Sequence, residues 1–314
     1  MDDKALLDLL RAVDEEGYDF VTVTPETHRR VLARRGSAPA RDLRDVFGWS
    51  VAFEDGVLPV RVEDALRRSG MVAREGTRWR SLVRISRLAG GLFLHSAYPT
   101  DDADSVFLGP DSYRFADFLA AALPPLPRAA RIVDIGAGAG VGGLVAAGVR
   151  PEARIVLTDV NPLALRFARV NAAHAGVAVE AVEGSGLAAV KGAFDVALAN
   201  PPFIMDPAAR AYRDGGDLHG ARLSLDWALE AARRVEPGGA VLLYTGSAIV
   251  AGRDGLRDAL EQSLPAAGCM MAYREIDPDI FGEQLDQPGY EEVERIAAVG
   301  AVIRRRQANG RSAA

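Results

Sequence analysis

The sequence predicts an α/β fold: a doubly wound, mostly parallel sheet of seven strands, preceded by a smaller helical module. Two observations predict it. From "RIVDIGAG" onward, short apolar runs alternate with helical stretches of about 10–15 residues, the pattern of strands buried on both faces of a parallel sheet. The first 105 residues lack that alternation, and "LPPLPRAA" (residues 123–130) sets three prolines between a helical pattern and the first of those strands.

In the leading region, "DKALLDLLRAV" and "PETHRRVLARR" read as helices, the second with Thr24 as N-cap and Pro25 at its first position. "VRVEDALRRSGMV" is a short helix stopped by Gly70, and "VAREGTRWRSLVRIS" a hairpin turning at Glu75-Gly76. Helices followed by a hairpin suggest a module of the winged-helix kind. Beyond the prolines, "RIVDIGAG", "ARIVLTDV", "VAVEAVEG", "FDVALAN" and "GGAVLLYTG" read as strands. "VGGLVAAGV", "PLALRFARVNAAHAG" and "HGARLSLDWALEAARRV" read as the helices between them. "CMMAYREI" and "IAAVGAVIRRR" form a closing pair of strands, and residues 305–314 are expected to be a disordered tail.

Composition narrows the function classes. About half of the 314 residues are hydrophobic, yet no apolar run approaches the roughly 20 that a membrane span needs. The net charge of −6 argues against a surface coated in positive charge for duplex binding. One cysteine and four histidines do not supply a zinc-type ligand set, so no metal is expected. The lone Cys269 and the acidic start "MDDKALLDLL", which lacks a basic n-region, lead to the expectation of a cytoplasmic protein.

Two stretches carry the chemistry. In "VDIGAGAGVGG", Asp134 ends a strand and Gly136, Gly138 and Gly140 open a tight turn into a helix, where backbone N–H groups can face a ligand. About 20 residues on, Asp159 tips the next strand, where a carboxylate can accept from both hydroxyls of a ribose. Gly138-x-Gly140-x-x-Gly143 also satisfies the dinucleotide pattern, so an NAD-dependent oxidoreductase is a rival reading. Asp134 argues for a different ligand: beside a pyrophosphate it would crowd negative charge, whereas a cationic sulfonium and an ammonium would suit it.

The second stretch is "DVALANPPFIMDP". Neither proline can donate to a ladder, so the strand stops at Asn200 and presents an amide, rigid carbonyls and an aromatic ring at its carboxyl end. The Asn200 side-chain carbonyl and the Pro201 backbone carbonyl are acceptors that can converge on one –NH₂ group. A carboxamide or exocyclic amine is a poor nucleophile, because its lone pair is delocalised. Two acceptors holding its hydrogens favour a pyramidal nitrogen aimed at an electrophile such as the methyl carbon of S-adenosylmethionine. Phe203 offers a flat surface on which an amide or base can stack.

With these residues, 106 to about 250 resemble a class I S-adenosylmethionine-dependent methyltransferase of the subgroup with an [N/D]PP[F/Y/W] signature, whose members methylate planar nitrogens. "VFLGPDSYRFADFL" is similar to the P-x-x-D-[ST] segment of HemK-like glutamine methyltransferases, and "YRDGGDLHG" to their Asp-Gly-Gly…Gly segment. The resemblance implies that Asp134, Gly136, Gly138 and Gly140 line the cofactor, with Asp111 and Ser112 near it, and that Asp159 holds its ribose. Asn200, Pro201, Pro202 and Phe203 would hold the target amine, Asn200 bordering the cofactor as well. Where many relatives have an acid near the adenine, "VEGSGL" offers Ser185, with Glu183 two residues earlier. HemK proteins usually carry tyrosine in place of Phe203.

The implied organisation is a substrate-recognition module at 1–105, a methyltransferase domain at 106–304 and the tail at 305–314. Removing the module is expected to spare cofactor binding. A protein glutamine, as in a release factor, is the favoured substrate; an exocyclic amine of ribosomal or transfer RNA is the alternative, and a cofactor-binding module without catalysis a further one. Arg78, Arg80, Arg84 and Arg87 around Trp79 would serve RNA phosphates, or form an exposed basic strand face. His174 and His219 read as solvated or capping residues, Tyr212, Arg213 and Asp214 as part of a substrate-closing loop, and Arg304-Arg305-Arg306 as a solvated chain end.

Overall fold

The computed structural model describes residues 2–205 and 214–307. In chain order, the leading elements are α1 (Asp3–Glu15), α2 (Pro25–Arg35), α3 (Val60–Ser69), β1 (Val72–Glu75), β2 (Arg78–Ser81), β3 (Val83–Leu88), β4 (Gly91–Ser96) and α4 (Pro110–Ala122). There follow β5 (Arg131–Ile135), α5 (Val141–Val149), β6 (Arg154–Asp159), α6 (Pro162–His174), β7 (Val179–Glu183), β8 (Phe194–Ala199) and α7 (Arg222–Arg234). The last are β9 (Val235–Val250), β10 (Arg253–Asp254), α8 (Gly255–Ser263), β11 (Cys269–Asp277) and β12 (Val293–Arg305). By packing, the chain divides into two units. One comprises Met1–Ala116, Gly138–Val141 and Pro162–Ala178; the other comprises Asp117–Ala137, Gly142–Asn161 and Val179–Ala314.

In the first unit, the caps expected from the sequence form. The Thr24 hydroxyl accepts the Thr27 N–H at 3.2 Å, and Gly70 ends α3 in the left-handed region. Helix α1 buries Leu6, Leu9, Leu10 and Val13 along one stripe, which packs on α3 and α6. The hairpin at Glu75-Gly76 is present as β1–β2, and a second one, β3–β4, follows it where the sequence suggested a single turn.

Helix α6, read from sequence as part of the methyltransferase domain, packs in this first unit against α1 and β4. Its fully buried Asn171 accepts the Leu94 N–H (2.8 Å) and donates to the Leu94 and Ala139 carbonyls (3.1 and 2.9 Å). One side chain thus joins β4 to the turn that holds Gly138 and Gly140. Removing residues 1–105 would take away Leu94, the partner in two of these three hydrogen bonds, so the deletion reaches the packing of that turn.

The arginine cluster is not an exposed basic face. Arg84 is 4% exposed and donates to the Gly48 carbonyl at 3.0 Å. Arg78 pairs with Glu54, Arg80 with Glu75, and Arg87 with Asp14 and Asp19. The cations stacked on Trp79 are Arg67 and Arg74, at 4.1 and 4.0 Å from its ring.

The second unit is built on a sheet in the order β11-β12-β9-β8-β5-β6-β7, with β10 paired to β9 at its margin. β5 to β9 are mutually parallel, while β11 and β12 run antiparallel, as expected for a closing pair. From β5 the chain winds outward through β6 and β7, then returns to place β8 on the other side of β5. That reversal makes the carboxyl ends of β5 and β8 the switch point where open α/β sheets bind ligands. Val133, Ile135, Val156, Ala197, Ala199, Val241 and Leu243 fill the core, covered by Ala228, Ala231 and Ala232 of α7 and by Leu256 and Leu260 of α8. Arg305, assigned by sequence to the tail, is the last residue of β12 and donates to the Arg233 and Val235 carbonyls; 308–314 lie outside the described residues. Among the described residues no helix is long and apolar enough to cross a membrane.

Candidate active site

Strand register places the candidate residues of the second unit along one edge. Ile135 of β5 stands beside Thr158 of β6 on one side and Ala199 of β8 on the other, and Asp159 stands beside Glu183 of β7. Asp134, Gly136, Asp159, Ser185 and Asn200 therefore all fall at or just beyond the carboxyl ends of four adjacent strands.

Asp134 is 2% exposed, and its carboxylate accepts the Gly143 N–H at 2.8 Å, tying the strand to the first turn of α5. Burial, with the charge of Asp159 adding to it, pushes the Asp134 carboxyl up to about 7 against the pull of that hydrogen bond. The N–H groups of Gly136 and Ala137 both donate to the Thr158 carbonyl, at 2.8 and 3.0 Å. Gly136 and Gly138 have φ of +67° and +54°. A Cβ on Gly136 would come within 2.6 Å of the Trp227 ring, whereas one on Gly138 would meet no atom within 4 Å. The turn thus leaves open space beside Gly138, which fits a ligand pressed close to its backbone.

Asp159 is half-buried; its side chain accepts the Asn161 N–H at 2.9 Å and its carbonyl the Gly184 N–H at 3.0 Å. Ser185 is exposed in the turn after β7, where its carbonyl caps Ala188. Asp111 and Ser112 belong to the first unit, at the start of α4. Asp111 is 5% exposed and lies 3.5 Å from Arg114, and Ser112 accepts the Gly109 N–H at 3.3 Å.

At the tip of β8, Asn200 and Pro202 are half-buried and Pro201 is buried. Phe203 is only 8% exposed, so the flat stacking surface expected of it is not open. Its ring packs edge-on against Phe281, centroids 5.6 Å apart, and lies where a Cβ on Gly246 would come within 2.6 Å. Ile204 bridges to Asp214, and the Gly215 N–H donates to the Ile204 carbonyl at 2.8 Å. The Asp-Gly-Gly…Gly segment is therefore packed directly on the signature. Asp214 is described; Tyr212 and Arg213, named with it, lie outside the described residues.

The methyltransferase small domain family matches residues 111–213. A release factor glutamine methyltransferase from Moorella thermoacetica is 30% identical over 246 residues, which cover 70% of this chain and 80% of that protein. The chain belongs to the HemK-like class I S-adenosylmethionine-dependent methyltransferases. A second such relative, from Deinococcus radiodurans, is 39% identical over 36% of this chain and 44% of its own. A ribosomal RNA small subunit methyltransferase C from Ectopseudomonas mendocina is 33% identical over 31% of this chain and 33% of its own. In the Deinococcus and Ectopseudomonas comparisons the match spans less than half of the relative's length. Among solved structures, Trm5b from Pyrococcus abyssi shares the fold, with a TM-score of 0.50 at 14% identity over 74% of this chain and 62% of that one.

Membership of this methyltransferase family removes the dinucleotide reading of the glycine pattern. Gly143, its third glycine, serves packing: a Cβ there would come within 3.0 Å of Ile155 on β6. Sequence reasoning missed Trp227 on α7, which stands against both Gly136 and Gly186, and Phe281 and Tyr290 in the connection from β11 to β12. None of the three lies in a motif; distant elements bring them to the strand ends.

Proposed function

We propose that this chain transfers a methyl group from S-adenosylmethionine to a planar amide nitrogen, a glutamine side chain of a protein of the release-factor type. Asp111, Ser112, Asp134, Gly136, Gly138, Gly140, Asp159 and Ser185 would line the methyl donor, and Asn200 with Pro201, Pro202 and Phe203 would hold the target. The observation that carries this reading is Asn200, a half-buried amide at the sheet's switch point, one residue beyond the pairing of Ala199 with Ile135.

Bound S-adenosylmethionine supplies an electrophilic methyl carbon and a sulfonium leaving group. The Asn200 and Pro201 carbonyls accept the two hydrogens of the target –NH₂ and fix its lone pair on the line of attack, so alignment supplies much of the acceleration. The new N–C bond forms as the S–C bond breaks. The surplus proton leaves the nitrogen for water, which is why no general base is needed in the site.

Support for a protein over an RNA target comes from the leading region, where Arg78, Arg80 and Arg87 are engaged by carboxylates and Arg84 is buried. The RNA reading draws on the likeness to the ribosomal RNA methyltransferase. Incubation with tritiated S-adenosylmethionine and, in parallel, purified release factor or deproteinised ribosomal RNA separates the two. Protease-sensitive label on the release factor is expected; label on RNA alone would reverse the assignment.

A further inference from the structure

The tip of β8 poses a mechanical problem. Beyond Ala199 the chain leaves the sheet, and Pro201 and Pro202 have no N–H with which to hold their place. Asn200 is therefore fixed by the strand before it and by whatever anchors the residues after it. Among the described residues three anchors are present: the Gly215 N–H on the Ile204 carbonyl, the Phe203 ring between Gly246 and Phe281, and the Met205 N–H, which donates to the Tyr290 hydroxyl at 2.9 Å.

Two of these anchors come from the connection between β11 and β12, about eighty residues further along the chain. Tyr290 is 1% exposed, and its carbonyl accepts the Val293 N–H at 2.9 Å where β12 begins. A Cβ on the neighbouring Gly289 would come within 2.8 Å of the Met205 side chain, so this backbone is pressed against the segment it holds. Phe281 has a φ of +54°, a left-handed conformation that a bulky side chain adopts only when its surroundings require it. Here it sets the ring against Phe203.

We propose that Tyr290 is a positioning residue for methyl transfer: its hydroxyl clamps the Met205 N–H and so holds the Asn200-Pro201 carbonyls in the geometry that aims the target nitrogen, with Phe281 bracing Phe203 from the same connection. This inference rests on the proposed role of Asn200. Its consequence is that the β11–β12 connection belongs to the transfer site. A displacement of about 1 Å at such a site costs up to about 10²-fold in rate.

The test is Tyr290→Phe, which keeps the ring and removes the hydroxyl. Three quantities are measured on the full chain: S-adenosylmethionine affinity by calorimetry, amide exchange of the peptide spanning residues 200–205 by mass spectrometry, and single-turnover transfer to purified release factor at saturating methyl donor. The expected result is affinity within about twofold of wild type, exchange at Met205 faster by tenfold or more, and a transfer rate lower by tenfold or more. A merely structural role would instead lower melting temperature and affinity together and leave the rate of the bound complex unchanged, which would overturn the proposal. So would wild-type exchange, or fast exchange with a wild-type rate. A wild-type protein that labels neither release factor nor any macromolecule of a cell lysate would sink the reading of Asn200 and, with it, the role assigned to Tyr290. The exchange result tells that failure apart from a failure of the clamp.

Discussion

Two glycine-rich segments, one after β5 and one after the β8 signature, need glycine for opposite reasons. In the turn after β5, Gly138 faces open space: a side chain there would strike nothing described, and only its φ of +54° disfavours one. In the segment 214–220, a Cβ on Gly215 would come within 2.7 Å of the Pro202 carbonyl oxygen, and one on Gly220 within 2.6 Å of the Phe203 carbonyl carbon. The first turn has room beside Gly138. The second has no room, because the backbone of the signature fills it. Glycine spacing in a sequence does not tell these two uses apart; the neighbouring atoms do.

The largest expected effect falls on the second turn. Gly220→Ala imposes a side chain at a φ of +89° and drives it into the Phe203 backbone. Strain and overpacking together should cost roughly 2–5 kcal/mol of stability and abolish transfer. Chemical denaturation beside a transfer assay measures both. If Gly220→Ala instead transfers methyl groups at the wild-type rate, the segment does not hold the signature and the contrast between the turns collapses.

Next in size is Asn200→Ala, which removes an acceptor without disturbing packing. Single-turnover transfer should fall by about 10²-fold or more, with S-adenosylmethionine affinity nearly unchanged. Retention of wild-type turnover would reduce the signature to a rigid loop.

Gly138→Ala should act on the other turn alone, costing about 1–2 kcal/mol for the left-handed residue. It should also weaken S-adenosylmethionine by about tenfold, leaving the rate of the saturated enzyme close to normal. Calorimetry that finds equal losses of affinity in Gly138→Ala and Gly220→Ala would show that the turns act as one.

The smallest effect sharpens the picture of the first turn through pH. Asp134 holds its proton to about 7 when folded, well above the ordinary carboxylate value from which it is raised. Between those two values the folded chain binds a proton that the unfolded chain has released, so this group makes stability fall as pH rises through that window. The ionised form is the one that attracts a cation, so affinity for S-adenosylmethionine should rise between pH 6 and 8 by up to about tenfold. Asp134→Asn should flatten both trends. An affinity that is already independent of pH in the wild-type protein would mean that Asp134 serves only the Gly143 N–H.

The leading region shows where reading by pattern stops. Four arginines near a tryptophan looked alike in sequence, yet Arg84 turns into the interior and the others meet Glu54, Glu75, Asp14 and Asp19. Alternation along a strand tells which residues share a face, but not which face is covered or which carboxylates lie opposite. The second hairpin was hidden because β3 and β4 are buried on nearly every position, and a run without alternation carries no register.

The sequence by itself determined the seven strands, their mostly parallel order, and the placing of Asp134, Asp159 and Asn200 at the ends of β5, β6 and β8. Those signals are local: apolar runs, a glycine turn that must pass through positive φ, an acid at a strand tip, and two prolines that end a ladder. Only the tertiary structure decided that Asn171 ties β4 to the turn after β5, that Trp227 backs Gly136, that Phe203 is packed rather than open, and that Tyr290 reaches Met205. Each of these is a contact between residues tens of positions apart, made by an ordinary side chain on an ordinary element. Such a partner is chosen by how the layers come together and not by any preference of its own stretch of chain, so it leaves no mark in the local pattern.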